Sequence, residues 1–385
     1  MNLKDYKWFL KGTPKEFFSP GRVNLIGEHI DYLGGEVFPI AIDLGTFAYI
    51  TKRDDKEIHM LSTAFEDIGV VTSSLNDLSF KKEDNWANFI KGVFQYLWQQ
   101  GYNIPHGLNI LLHSTLPIGA GLSSSASIEV LMMTVLNHLF DLQLTQKQMA
   151  LFSKDVENNY IGVNSGIMDQ YAIAFGQKDY AVHLNTSTLT HELVPFILKD
   201  YVVMIVNTNK KRALSESKYN ERRTECDEAL KTLHQAGVKE QDLARVPLDT
   251  IEQYKDQFND INHYKRARHA SSEQSRVLEA VDALKQNDLS GFSTLLTATH
   301  MSLKNDFEVS CDELDLLVDL SLKEGALGAR MTGAGFGGCI IAIVHQNIIE
   351  SFKSNIIDRY ANIIGYEPSC YIANTSDHAK YVGGN

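Results

Sequence analysis

The chain has 385 residues and a formal net charge of −12, and 44% of its residues are hydrophobic. This length predicts two to three domains with substantial cores, while the acidic balance gives no electrostatic footprint for nucleic acid. No apolar run approaches the roughly 18 residues of a membrane span, and the charged start MNLKDYK lacks the apolar segment of a signal peptide. We therefore expect a cytoplasmic protein whose partners include neither nucleic acid nor a membrane.

The first glycine motif, residues 19–35 (SPGRVNLIGEHIDYLGG), places Arg22, Glu28, His29 and Asp31 between glycines. Glycine lets the backbone turn and approach a ligand closely, and polar side chains between glycines suit a ligand covered in hydroxyls, such as a sugar. A turn that carries a surface ion pair between Arg22 and Glu28 explains the segment about equally well. The first motif alone therefore leaves both interpretations open.

Strands over 38–51 and 107–114 and a helix over 88–99 are predicted next. The second glycine motif, residues 116–127 (LPIGAGLSSSAS), precedes apolar residues at helical spacing, so a helix begins near its serines. The first turn of a helix offers unpaired N–H groups and the positive end of the dipole, which favours a phosphate. Simple capping explains one serine but not three beside two glycines. We expect a phosphate loop, although not a Walker loop, because no G-x-x-x-x-G-K-[ST] pattern occurs.

Two further helices are predicted before the middle of the chain. Thr145 is placed to cap a helix that runs to about Tyr160. Asn164 or Ser165 is then placed to cap a short helix that carries Asp169 just past its first turn. A carboxylate there is favoured by the helix dipole, so the pattern alone predicts no more than a surface residue.

The second half opens with a buried strand over 201–206 and continues into helices over 217–236 and 264–285. Strands and helices mixed in this way indicate an α+β chain. A basic cluster near its start alternates with glutamates, which is typical of a solvated helix face; it comprises residues 210–212, Lys218, Arg222 and Arg223.

The third glycine motif, residues 328–338 (GARMTGAGFGG), matches G-x-G-x-x-G at Gly333, Gly335 and Gly338. A dinucleotide site would need a helix after the last glycine, whereas residues 339–344 form a short apolar run that predicts a buried strand. We expect a packing loop or a wall against the substrate or the phosphates. An NAD-dependent oxidoreductase stays possible only if a helix follows Gly338.

Together, the three motifs resemble those of the galactokinases, which are GHMP-family small-molecule kinases. Residues 21–32 resemble the galactokinase signature, 117–127 the family's ATP-phosphate motif and 330–339 its third motif, in the family's order. The last two identify the superfamily, and only the first points to galactose. The resemblance implies an N-terminal domain (1–198) similar to ribosomal protein S5 domain 2 and a ferredoxin-like C-terminal domain (199–385), with the active site in the cleft between them.

The resemblance also implies the reaction: a phosphotransferase moves a phosphoryl group from ATP, with Mg²⁺, to the C1 hydroxyl of α-D-galactose, the first step of the Leloir route. Such a transfer needs an aligned hydroxyl, neutralised phosphate charge and often a carboxylate to take the proton. By resemblance Asp169 is that base, Arg22 is its partner, and Ser125 and Glu157 bind Mg²⁺, with the adjacent Ser124 as the alternative serine. A monomer or weak oligomer is expected.

The remaining contacts follow from the same resemblance. Sugar recognition is assigned to Glu28, His29, Asp31, Gly166, Asp169 and Tyr219. ATP binding is assigned to Gly119, Ala120, Gly121, Leu122, Ser123, Ser124, Ser125 and Trp86. Trp86 fits either an adenine-stacking residue or a buried core tryptophan.

Two positions depart from the commonest galactokinase pattern, namely Ile30 and Leu33. They leave N-acetylgalactosamine or another sugar as an alternative acceptor. An alternative of another class is a non-catalytic sensor of galactose and ATP. Relatives of that kind are disrupted in the serine motif, whereas residues 122–127 (LSSSAS) are intact here.

Overall fold

The computed structural model describes residues 1–117, 119–210 and 215–383, so Lys211 and Arg212 of the basic cluster lie outside the described residues. The strands are β1 (Lys15–Asn24), β2 (Glu36–Val37), β3 (Pro39–Lys52), β4 (Glu57–Ser62), β5 (Val71–Ser74), β6 (Leu108–Ser114), β7 (Tyr180–Asn185), β8 (Thr190–Pro195), β9 (Tyr201–Asn207), β10 (Ala329–Thr332), β11 (Cys339–His345), β12 (Ser369–Ala373) and β13 (Lys380–Gly383). The α-helices are α1 (Lys7–Leu10), α2 (Ala87–Gln99), α3 (Ser124–Phe140), α4 (Gln146–Val156), α5 (Met168–Phe175), α6 (Ser215–Gln235), α7 (Leu248–Gln253), α8 (Ile261–Lys285), α9 (Leu289–Ser302), α10 (Asp312–Lys323) and α11 (Ile349–Ile364). The predicted α+β class is confirmed.

Most predicted elements are present with small shifts at their ends, where assignment is least sharp. Thr145 caps α4 in a reciprocal capping box with Gln148, and one turn of π-helix, Glu157–Ile161, continues α4 to the predicted end. The predicted cap at Asn164 or Ser165 is wrong. The helix begins at Met168 and puts Asp169 in its first turn, because the Ser165 hydroxyl is bonded to Glu157 and Asn158 instead.

The strands form three sheets among the described residues. The first has the order β13-β1-β3-β6-β4-β5, the second β2-β7-β8 and the third β10-β11-β9-β12. Neighbouring strands are antiparallel except for the parallel pair β4 and β6. Strand β13 thus belongs to the first sheet, together with β1. The predicted division between residues 198 and 199 did not include this return of the chain. That division itself stays a prediction.

A β-bulge in β3 lies opposite the first glycine motif. Pro20 of β1 pairs with Gly45 and Gly21 pairs with Ile42, so the extra residues of the bulge belong to β3. The shift in pairing comes directly before Arg22, so it affects the direction in which that side chain leaves the sheet.

One apolar core joins the two halves of the chain. It contains Val23 and Leu25 from the first motif together with Met204 of β9 and Ile341 of β11, all fully buried. Continuous packing of this kind holds the halves in one arrangement. Among the described residues, no helix combines the length and the apolar character that a bilayer span requires.

A buried arginine ties α8 to two neighbouring segments. Arg266 is 1% exposed, and it bonds Glu225 of α6 at 2.6 Å, Glu308 at 2.8 Å and the backbone oxygen of Asp306. Arg268, on the same helix, is 47% exposed and bonds Asp306 at 3.1 Å. A comparison of Arg266 with Arg268 therefore tests how much burial adds to the contribution of an arginine to stability.

We predict that Arg266→Met lowers the free energy of unfolding by about 3 kcal/mol, because Glu225, whose side chain is 14% exposed, and the Asp306 carbonyl lose a buried donor. Arg268→Met should cost at most about 1 kcal/mol, as exposed ion pairs do. Urea denaturation of the two variants and the parent measures both. Equal losses for the two variants would contradict the structural role of Arg266.

Candidate active site

A cleft of about 420 Å³ opens where the three glycine motifs meet. Most predicted site residues lie on its wall: Arg22, Glu28, His29, Asp31, Gly119, Gly121, Leu122, Ser123, Ser124, Ser125, Glu157, Gly166, Asp169 and Tyr219. Ala120 and Trp86 do not. The third motif contributes Gly333 and Ala334, and β11 rather than a helix follows that motif. The strand removes the dinucleotide interpretation.

A bidentate ion pair stands at the centre of the cleft. Arg22 donates from Nε to Asp169 Oδ1 at 2.7 Å and from a terminal nitrogen to Oδ2 at 2.8 Å. Burial alone would lower the pKa of Arg22, but the charge of Asp169 raises it overall. The arginine side chain is 5% exposed and the aspartate side chain 30%. The carboxylate therefore faces the cleft while a charged guanidinium holds it from behind.

The serine-rich turn leaves the start of α3 without a side-chain cap. Ser123, at the N-cap of α3, has a φ of 61° and makes no side-chain cap bond; its hydroxyl donates to Asp169 Oδ2 instead. Arg22 also donates to the backbone oxygen of Gly121 at 2.9 Å. The N–H groups of the first turn of a 17-residue helix stay available to an anion.

Two side chains whose oxygen atoms could bind a metal ion, Ser125 and Glu157, lie beside this turn. Ser125 Oγ donates to Glu157 Oε1 at 2.8 Å, and Glu157 Oε2 accepts from Ser165 at 3.1 Å and from Gln170 at 2.5 Å. Burial, and then the charge of Asp169, raise the pKa of Glu157, which a bound cation would reverse. Among the described residues no three His, Cys, Asp or Glu side chains form a metal cluster. One carboxylate and one hydroxyl fit Mg²⁺, which keeps waters and phosphate oxygens as its other ligands.

Glu28 is fixed by the third motif. Its Oε2 accepts from Arg330 at 2.5 Å and from the backbone N–H of Gly333 at 3.0 Å. Burial raises the pKa of Glu28 despite the nearby charges of Arg330 and Arg22. The surface pair between Arg22 and Glu28, one of the two sequence interpretations, does not form. Each residue has a partner more than one hundred positions away.

His29 is a neutral residue of the cleft wall. Burial lowers the pKa of His29 to about 3. Its Nε2 lies 3.3 Å from the carbonyl oxygen of Ala334, which can only accept, so Nε2 carries the proton and Nδ1 accepts from the Tyr32 hydroxyl at 2.9 Å. Both ring nitrogens are thus already bonded within the protein.

Asp31 is pressed against the loop that precedes α5. A Cβ on Gly166 would come within 1.7 Å of an Asp31 oxygen, so only glycine permits this approach. The Met168 N–H donates to Asp31 Oδ2 at 3.3 Å. Burial, and then the charge of Asp169, raise the pKa of Asp31 to about 6.

The start of α6 contributes to the cleft, and the prediction of a solvated face is wrong for two of its arginines. Arg222 is mostly buried and pairs with Glu225 at 2.8 Å. Arg223 donates to the backbone oxygen of Asn164 at 2.9 Å and lies over the Tyr32 ring. Tyr219 stands 5.5 Å from the His29 ring. Alternating charges predicted exposure, but the helix turns this end toward the ligand loops.

The two departures from the galactokinase pattern are core positions. Ile30 is fully buried and packs against Gly35, and Leu33 is nearly so. Trp86 is 3% exposed within the core around α2 and α3, and Phe89, one turn later on α2, lies on the cleft wall. Of the two interpretations of Trp86, the core position fits, because its ring face is not available for stacking.

Sequence reasoning missed three residues that shape the cleft, namely Arg330, Gln170 and Phe89. Arg330 carried the clearest signal, since it is a charged residue at the head of an apolar strand. Gln170 directly follows Asp169, and its partners are set only by tertiary contacts. Phe89 looked like any other apolar residue on a helix.

Comparison with known proteins gives three family profiles along the chain. They are the galactokinase galactose-binding signature (residues 9–52), the GHMP kinases N terminal domain (88–177) and the GHMP kinases C terminal domain (280–362). A galactokinase of Clostridium perfringens strain SM101 is 51% identical over 93% of this chain and 92% of its own. One from Streptococcus suis is 49% identical over 95% and 94%.

The solved structures agree. Galactokinase of Lactococcus lactis in complex with galactose superposes with a TM-score of 0.95 at 42% identity, covering 98% of both chains. Mevalonate kinase of Methanococcus jannaschii, at 20% identity, shares the fold with a TM-score of 0.69 over 95% of this chain and 100% of its own. With its motifs, sequence and fold in agreement, this chain belongs to the galactokinases of the GHMP kinase family.

Proposed function

We propose that this chain transfers the γ-phosphoryl group of ATP to the C1 hydroxyl of α-D-galactose, giving galactose 1-phosphate and ADP. The observation that carries the proposal is the position of Asp169, held by Arg22 between the sugar motif and the phosphate loop. The galactose bound to the Lactococcus lactis relative supports the choice of sugar.

Asp169 is suited to act as the base. The lone pairs of its oxygens that Arg22 and Ser123 leave free point into the cleft, where they accept the proton of the C1 hydroxyl as its oxygen attacks phosphorus. Arg22 holds the carboxylate in place through two hydrogen bonds and stabilises the charge of the transferring group. The same pair therefore serves both reactants.

The sugar is oriented by the polar wall opposite the phosphate loop. Glu28 offers Oε1, because Arg330 and Gly333 hold Oε2, and Asp31 and Tyr219 stand beside it. An epimer with a misplaced hydroxyl would leave a buried acceptor unpaired, which is a strong basis for discrimination. A contact from His29 would have to replace one of its two present bonds.

The phosphates of ATP fit the first turn of α3, and Ser125 with Glu157 supplies oxygen ligands to Mg²⁺. When bound, the ion neutralises phosphate charge and orients the γ-phosphoryl group. Ser125 is preferred over Ser124 because it is the serine bonded to Glu157. Phe89 replaces Trp86 as the candidate for adenine stacking. Cytoplasmic location and a monomeric or weakly associated state remain predictions.

Two alternative functions, a kinase for a substituted sugar and a non-catalytic sensor, are less well supported. Ile30 and Leu33 lie in the core rather than on the cleft wall, so they give no reason to expect a substituted sugar. The assembled set of Asp169, Arg22 and Ser125 with Glu157 favours turnover over a non-catalytic sensor.

The first experiment measures ADP release from Mg-ATP with galactose, N-acetylgalactosamine, glucose, mevalonate and homoserine. We expect turnover with galactose alone. Turnover only with another acceptor would overturn the sugar assignment, and galactose binding without turnover would make the sensor the better account.

Asp169→Asn should lower kcat by about 10²–10⁴, because a lost general base costs that much, while calorimetry shows galactose still bound. Ser123→Ala is the matched control, since it removes one bond to Asp169 but leaves its charge. A loss in Asp169→Asn no larger than that in Ser123→Ala would mean that Asp169 only orients the hydroxyl.

Galactose binding should weaken in acid because an ionised Asp31 accepts stronger hydrogen bonds from the sugar hydroxyls than a protonated Asp31 does. Its carboxylate is present above its pKa of about 6 and lost below it, so the galactose Kd should rise about tenfold from pH 7 to pH 5. Calorimetry at both pH values measures this. Asp31→Asn should bind more weakly at pH 7 with a smaller dependence on pH; an equal dependence would assign the effect to another group.

A further inference from the structure

A fully buried carboxyl group lies behind the candidate Mg²⁺ ligands. Glu129 follows Ser125 by one turn of α3 and is completely buried. Its Oε2 accepts a long bond from Gln170 Nε2, at 3.4 Å, and its Oε1 has no hydrogen-bond partner among the described residues. The groups that act on it are Gln170 and the acidic Glu157 and Asp169, and none of these is a cation.

The neighbouring side-chain amide, that of Gln170, also has an oxygen without a hydrogen-bond partner among the described residues. Gln170 is also completely buried, and its Nε2 donates to Glu157 Oε2 at 2.5 Å. Its Oε1 has no hydrogen-bond partner within the part of the chain that the structure describes. Buried polar atoms are rarely left unpaired, so each one calls for an explanation. Here the two unpaired oxygens belong to side chains that already touch each other.

We propose that Glu129 is a neutral carboxylic acid that forms a cyclic acid–amide pair with Gln170, and that Gln170 is thereby a positioning residue for Glu157. The protonated Oε1 of Glu129 donates to Gln170 Oε1, while one N–H of Gln170 donates to Glu129 Oε2. Both unpaired oxygens then have partners. The second N–H of Gln170 is left for Glu157.

The charges around Glu129 support the neutral form. Burial, and then the charge of Glu157, raise the pKa of Glu129 well above its ordinary value. An ionised Glu129 would repel Glu157 and would leave Gln170 Oε1 without a donor. Protonation resolves both problems with no additional group.

The pair decides which way the Gln170 amide faces. If the amide were reversed, its oxygen would face the Glu157 carboxylate, so Glu157 would lose a donor. Glu129 prevents this because its acid group donates and accepts in a fixed order. Partners of this kind behind a metal ligand change metal affinity about 10–100-fold when they are removed. This inference rests on the proposed function, since it takes Glu157 as a ligand of Mg²⁺.

The test is a calorimetric titration of Mg²⁺ into the protein in the presence of a non-hydrolysable ATP analogue. Glu129→Gln should stay within about threefold of the parent Kd for Mg²⁺, because an amide also donates and accepts. Glu129→Leu and Gln170→Leu should each raise that Kd about tenfold, and the double variant should be no worse than either. Thr134→Val, on the same helix and bonded to the Val130 carbonyl, controls for general destabilisation.

Infrared spectroscopy gives a readout independent of binding. The parent should show the carbonyl stretch of a protonated carboxylic acid, and Glu129→Gln should lack that band. An unchanged spectrum would overturn the proposal. So would Glu129→Gln binding Mg²⁺ as weakly as Glu129→Leu, or both leucine variants binding it normally. If Glu129→Leu does not fold, Gln170→Leu and the infrared band decide.

The proposed function can fail separately. A parent protein that binds Mg²⁺ with the nucleotide but phosphorylates no sugar would refute the proposed function. The pair between Glu129 and Gln170 would then still be judged by the Mg²⁺ titration and the infrared band.

Discussion

The site depends on one partly buried ion pair, between Arg22 and Asp169. Arg22 lies on β1 just after the point where the pairing with β3 shifts, and Asp169 stands in the first turn of α5, 147 positions later. A bidentate pair fixes both distance and orientation, and Arg22 also bonds the Gly121 carbonyl in the phosphate loop. Loss of either partner would leave the other charge without its counterpart in a mostly buried place.

The remaining geometry follows from how this pair is surrounded. The third motif fixes Glu28 through Arg330 and Gly333, so the C-terminal half shapes the proposed sugar pocket, to which it also contributes Tyr219. The core that spans both halves keeps these contacts in register.

The sequence was sufficient for the residues whose chemistry is local. The turn of serines before an apolar run predicted the start of α3, and the apolar run after Gly338 predicted β11 against a dinucleotide fold. The resemblance supplied Asp169 and Arg22, which no spacing could have joined. It did not correct the helix cap at Asn164 or Ser165, where the Ser165 hydroxyl instead bonds the Glu157 carboxylate eight positions earlier.

Other features depended on tertiary contacts that no local pattern encodes. Arg222 and Arg223 had the alternating charges of an exposed face, yet Arg222 is mostly buried and Arg223 bonds the Asn164 carbonyl. Trp86 and Phe89 are both aromatic and three positions apart, and only packing decides that Phe89 reaches the cleft. The proposed roles of Gln170 and Glu129 likewise depend on the contact between their two side chains.

The central claim is that Asp169 meets the hydroxyl that receives the phosphoryl group. A crystal structure with galactose, Mg²⁺ and a non-hydrolysable ATP analogue tests it directly. We expect the C1 hydroxyl oxygen within about 2.6–3.2 Å of an Asp169 oxygen, with Arg22 still bidentate. A sugar whose C1 hydroxyl faces away from Asp169, with the γ-phosphate nevertheless in line, would contradict the account.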